Sequence, residues 1–200
     1  MTRGAAKTAK TMPQRQPVPA LVALSNAVRS RRPAGARAAI AEDPFASQTA
    51  AAALLEPLGL TRMLGPDELD DLRALASETS ALADALASNE PPPGIDTLNR
   101  LAAQASVSQR LRIAADGRLT IEVSWPADSA VPELAWRLIT ELADLDPARL
   151  RHCAREACDL LFYDTTRSNN QRWHSESPCG LRERQERWRK AAEAGRISPS

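Results

Sequence analysis

The sequence predicts an α+β chain that is mainly α, with a helical N-terminal domain carrying one β-hairpin, followed by a small C-terminal finger of knuckle, hairpin and helix. Three observations predict it. Leucines recur at helical spacing through much of residues 20–145, two short runs flanking Asp116 and Gly117 alternate apolar and polar residues instead, and every cysteine lies close to one histidine near the C-terminus. The expected organisation is a basic, disordered tail over residues 1–18, a helical domain over 19–146, the finger over 147–194 and a short tail over 195–200.

Composition allows a core and narrows the class. Of 200 residues 43% are hydrophobic but only 4% aromatic, so the core has to be built from aliphatic side chains. No run of about 18 apolar residues is present to span a bilayer, and Met1 to Ala20 has no continuous apolar segment of the secretory kind. Three cysteines fit poorly with a secreted disulfide framework. The expectation is a soluble, cytoplasmic protein with reduced thiols and no membrane partner.

The net charge of +1 conceals three blocks. Residues 1–40 hold 8 basic and no acidic side chains, residues 41–146 hold 7 against 18, and residues 147–200 hold 11 against 7. A polyanion would therefore meet the two ends rather than the middle. The first 18 residues, punctuated by Pro13 and Pro17, have little to bury and read as an unstructured tail, or else a basic arm for nucleic acid.

The helices follow from spacing and punctuation. Ala20 to Arg32 puts Leu21, Leu24 and Val28 on one face and gathers cations at its end, before Pro33 and Gly35. A second helix is expected from a cap at Asp43, through Pro44, to about Leu58, with Pro57 and Gly59 ending it. The clearest helix lies between Pro66 and Ser88: Leu69, Leu72, Leu75, Leu82 and Leu86 form a stripe, and Asp67, Glu68, Asp70 and Asp71 crowd its positive end. Pro91 to Gly94 break the chain, and Asp96 to Val107 resumes a helical pattern.

There the period changes to two. Leu111 and Ile113, then Leu119, Ile121, Val123 and Trp125, alternate with polar residues on either side of Asp116-Gly117, which reads as a β-hairpin. Val131 to Leu145 returns to helix, with Leu134, Leu138, Leu142 and Leu145 on one face extended by Ala135 and Ile139. Leu160 to Asp164 is a short apolar run expected to form a strand, and Asp164 to Asn170 a polar turn.

The chemistry is concentrated in the last quarter. Cys153, Cys158, His174 and Cys179 fall within 27 consecutive residues, as two pairs each separated by four residues. Thiolate sulfur and imidazole nitrogen are the donors that Zn²⁺ prefers in a tetrahedral shell, so the spacing predicts one structural zinc ion. The competing reading is a pair of buried thiols with an unrelated cysteine and histidine nearby. His152 is a rival donor, but it adjoins Cys153, and neighbouring residues rarely reach one ion. Phe162, Tyr163 and Trp173 would supply a small apolar core. Beyond Cys179 a helix carries Arg182, Arg184, Arg187, Arg189 and Lys190 against Glu183 and Glu186. Together with Arg172 these arginines are candidates for contact with phosphates or bases; the plainer reading is a solvated helix held by Glu–Arg pairs.

The segment from Arg151 to Arg182, with its two cysteines, the LLFYDTTRSNNQRW run and the closing Cys179-Gly180-Leu181-Arg182, resembles the zinc-finger family called CGNR. Relatives commonly carry this finger behind an N-terminal domain named ABATE and are described as bacterial transcriptional regulators. The preceding order here is similar: an early helix with Asn26, a Leu- and Ala-rich region, a hairpin with Trp125, and a helix running into the finger. The resemblance implies zinc on Cys153, Cys158, His174 and Cys179, with His174 where many relatives have cysteine and Leu181 where the family has asparagine. It also implies DNA as partner. A two-fold homodimer is a common arrangement for such regulators, and the transcription machinery is a partner of the second kind. Catalysis is not expected, because four ligands close a zinc shell and no Gly-rich phosphate loop or Ser/His/Asp set is present.

Overall fold

The computed structural model describes residues 18–29, 43–126 and 130–193. The basic tail, the end of the first helix beyond Arg29 and the C-terminal tail lie outside the described residues, except Val18, which the sequence assigns to the tail and which is buried in the core.

Helix α1 is Pro19–Arg29 and buries Ala20, Leu21, Leu24, Ser25 and Ala27. Its first amides have no partner within the helix; those of Ala20 and Leu21 donate to the Glu141 carboxylate at 3.1 and 2.9 Å. Burial pushes the Glu141 carboxyl pKa up, and these two N–H groups and the Arg137 charge offset only part of that. Helix α2, Gln48–Leu55, starts later than expected. Asp43 caps no helix but closes a turn, accepting from the amide of Phe45 at 3.0 Å, and so tucks Phe45 into the core. The N-cap is Ser47, whose hydroxyl oxygen accepts from Ala50 N. A 3-10 turn over Glu56–Leu58 then ends at Gly59, where φ is 76°.

Helix α3 is Pro66–Ser88, as the leucine stripe predicts. Glu68 accepts from the Gly65 amide at 2.9 Å at its start, and Asn89 closes it in the left-handed conformation. Leu72, Leu75 and Leu82 are buried, Leu69 and Leu86 half-buried. Helix α4 covers only Asp96–Ala102, held at its start by Glu78, which accepts from Thr97 N and Leu98 N. The expected extension to Val107 does not form; a tight turn at Ala102–Ala105 redirects the chain into a strand.

Strands β1, Ser108–Ile113, and β2, Leu119–Ser124, pair antiparallel with Leu111 opposite Ile121 and Ile113 opposite Leu119. Gly117, with φ of 80°, closes the turn. Both faces of this ribbon are exposed. Helix α5, Ala130–Ala143, buries Val131, Leu134, Ala135 and Leu138, whereas Ile139 points to water against expectation. Trp136 meets Trp125 edge to face, with ring centroids 5.3 Å apart.

One apolar core holds all of this together. Leucines and alanines from α1, α3, α4 and α5 form it, and Leu150, Leu161 and Tyr163 of the C-terminal region belong to the same cluster. Those three residues lie on β3, Leu150–His152, and β4, Leu161–Tyr163, an antiparallel pair.

Candidate metal centre

The knuckle grows out of the β3–β4 pair. Cys153 follows β3 directly, and its amide donates to Leu160 O at 2.9 Å; the chain then turns, with Cys158 N donating to Arg155 O at 2.9 Å, before entering β4. Both thiols of the first pair are therefore presented at one end of a two-stranded ladder.

The second pair arrives by way of a loop built on Asp164. This carboxylate, fully buried, accepts from Thr166 N at 2.8 Å, Thr166 Oγ1 at 2.6 Å and Gln171 N at 2.8 Å. Burial alone would raise its pKa, but those hydrogen bonds and the Arg151 guanidinium outweigh it and hold the carboxyl below its ordinary value. Arg149 donates to the carbonyls of Asp164 and Thr166, and Arg151 to that of Asn169. With the loop fixed, Ala154 N donates to Arg172 O at 2.8 Å, which sets the strand bearing His174 beside the knuckle. Cys179 sits in a wide helical turn, Glu176–Gly180, that opens into helix α6, Leu181–Glu193.

Cys153, Cys158, His174 and Cys179 converge, with all four donor atoms within 4.8 Å of one another. Cys158 Sγ and His174 Nδ1 are 3.5 Å apart. A tetrahedral zinc ion with bonds of about 2.3 Å to sulfur and about 2.0 Å to nitrogen separates such a pair by about 3.5 Å and two sulfurs by about 3.8 Å. The donor set fits the ion in number and softness, and the Cys158–His174 pair in spacing. His152 stands outside the cluster; its Nε2 lies 3.2 Å from Asp84 Oδ1.

Without metal the site resists ionisation. Burial, reinforced by the neighbouring thiols, pushes the Cys179 pKa up to about 12, and burial likewise raises that of Cys158. Burial lowers the pKa of His174, which keeps its imidazole neutral and able to ligate.

The apolar support differs from expectation in one respect. Phe162 and Tyr163 are buried, but Tyr163 faces the shared core rather than a private one, and Trp173 is half-buried with the Arg172 guanidinium 5.4 Å from its ring centroid. Strand β3 had no period of its own in the sequence. Nor did the contact that seats the finger: the Asn26 amide of α1 grips the backbone of Leu161 on β4, accepting from its N–H at 2.8 Å and donating to its carbonyl at 2.9 Å.

Helix α6 is fixed near its middle by Arg155 of the knuckle, which donates to Glu186 at 2.9 Å. Glu183 and Glu186 are half-buried, whereas Arg182, Arg184, Arg187 and Arg189 are exposed. Arg184 pairs with Glu176. Arg172, in the preceding loop, is exposed as well.

A closed Cys3His shell joining a strand pair, an ordered loop and a helix start defines a structural zinc finger, and the four residues form a site for one structural zinc ion. Residues 149–192 match the family model described as the CGNR zinc finger, so this segment is a CGNR zinc finger. No curated protein matches the chain.

Proposed function

We propose that the chain is a DNA-binding transcriptional regulator in which zinc holds the finger rigid and α6 with its preceding loop contacts the phosphate backbone and base edges. The observation that carries this reading is the way charge is sorted on α6. Its sequence mixes arginines with Glu183, Glu186 and Glu193, but Glu183 and Glu186 are half-buried and Glu186 is already matched by Arg155. The exposed cations lie on two flanks: Arg182 and Arg189 seven residues apart on one, and Arg187 on the other beside Arg184, whose charge is shared with Glu176. Arg172, in the preceding loop, adds a further exposed cation. On this reading the helical domain, ABATE-like in its order of elements, receives a signal or sets assembly. The protein works in the bacterial cytoplasm and performs no catalysis, since its zinc shell has no position left for a reacting water.

Binding of the zinc-loaded full-length chain to labelled duplex DNA, followed by fluorescence anisotropy as salt is raised, tests the proposal. Affinity falls with salt, and replacing Arg182, Arg187 and Arg189 together with alanine lowers the slope by about 0.9 for each phosphate contact removed. Absence of DNA retention at low salt with zinc bound overturns it. A second reading is favoured by Leu181 and Trp188, exposed apolar residues seven apart on α6. They would dock a protein partner such as the transcription machinery. Trp188→Ala then abolishes partner capture while leaving the salt slope on DNA unchanged.

A further inference from the structure

The β1–β2 ribbon carries a built apolar surface that nothing among the described residues covers. Leu111 faces Ile121 and Ile113 faces Leu119 across the ladder, and Val123 continues the same side, so five aliphatic residues line one face. They are 45 to 76% exposed. The other face is polar: Arg112 forms an ion pair with Glu122, and Ser108 and Ser124 hydroxyls meet at 2.8 Å. Alternation this regular is the mark of a ribbon with one face meant for burial, and a two-stranded ribbon alone in water is marginal.

We propose that this face pairs with the same face of a second copy of the chain, giving a two-fold dimer in which two ribbons stack as a small sandwich. Size supports it. An aliphatic side chain offers about 100 to 120 Å² of apolar surface by the usual transfer relation, so five of them at a little under two-thirds exposure leave about 320 to 380 Å² in water per copy. That is the size of the largest apolar patch on a typical monomer, and such patches are often functional. Two such faces, with the ribbon atoms around them, reach on the order of 1,000 Å², where specific interfaces begin. Charge supports it too, because the ion-paired residues stand on the outer sides and no like charges are brought together. The chain's remaining segments are poor candidates to cover the face themselves. Residues 1–17, 30–42, 127–129 and 194–200 together contain only Met1, Met12, Ile40 and Ile197 as large apolar side chains. The pairing is independent of whether α6 binds DNA.

Sedimentation equilibrium on the zinc-loaded full-length protein over about 1 to 300 µM resolves a reversible monomer–dimer equilibrium. Ile121→Lys weakens it by at least about tenfold with unchanged zinc content and, at concentrations where the wild type is monomeric, an unchanged thermal midpoint, since the residue is not part of the core cluster, and Arg112→Gln on the opposite face does not. In the wild type, amide exchange at Arg112 and Thr120, a hydrogen-bonded pair of the ladder, slows as concentration rises. Three results overturn the proposal: a wild type monomeric throughout, a dimer indifferent to Ile121→Lys, or slow exchange on the ribbon that is independent of concentration, which would mean that the chain covers the face itself.

Discussion

Replacing Asn26 with alanine should loosen the finger from the helical domain without touching a zinc ligand. The amide makes two hydrogen bonds to the backbone of Leu161, a residue with no solvent exposure, and alanine leaves that buried N–H and carbonyl without these partners. A net hydrogen bond contributes about 1 kcal/mol, and an orphaned buried polar group costs about 1 to 3 kcal/mol, so the expected loss is about 2 to 4 kcal/mol. Asn26→Asp separates the two bonds. A carboxylate still accepts from Leu161 N but turns a negative oxygen on the Leu161 carbonyl, so the variant should be impaired at neutral pH. Urea denaturation at saturating zinc gives the free energies, and amide exchange at Leu161 reports the local opening. A loss below about 0.5 kcal/mol for Asn26→Ala, with unchanged exchange at Leu161, would show that the clamp is incidental to docking.

Two further outcomes follow from the electrostatics of the finger. Because the Cys158 and Cys179 pKa values are raised while His174 is kept neutral, zinc binding near neutral pH should release at least about two protons per ion, measurable by calorimetry in buffers of different ionisation enthalpy; release of fewer than one refutes the assignment. Asp164→Asn should cost about 1 to 3 kcal/mol through the weakened loop. The folded carboxyl pKa lies below the ordinary 3.8, so its stabilisation is complete above that value and is lost only as pH falls through the folded one. The stability gap between the variant and wild type should therefore stay constant from about pH 7 to about pH 5. A gap that closes in that range contradicts the hydrogen-bonded carboxylate.

How much of this was legible in the sequence depended on the range of the forces involved. The α3 helix was readable residue by residue because its leucine stripe, its acidic first turn and Pro66 all act locally. The zinc site was readable for a different reason: few residue types can ligate zinc, and this chain confines them to one stretch. Strand β3 was not, since three residues carry no period and its pairing is set by β4, about ten positions away. The start of α2 was misplaced because Asp43 and Ser47 are both competent caps, and the burial of Phe45 decides between them. The grip of Asn26 on Leu161 joins residues 135 positions apart, beyond the reach of any local pattern. The seating of Glu186 against the finger depends on Arg155, 31 positions away, in the same way.

Leu150, Leu161 and Tyr163 sit in the same apolar cluster as the leucines of α1, α3 and α5. Metal and helices thus stand in series: the ion closes the loop that carries His174 and Cys179, and the ladder beneath it supplies part of the floor on which the helical bundle rests. Severing the chain after Asp146 would strip that floor from the front half and leave the rear half with greasy residues facing water, so neither fragment would reproduce the behaviour of its counterpart in the intact molecule.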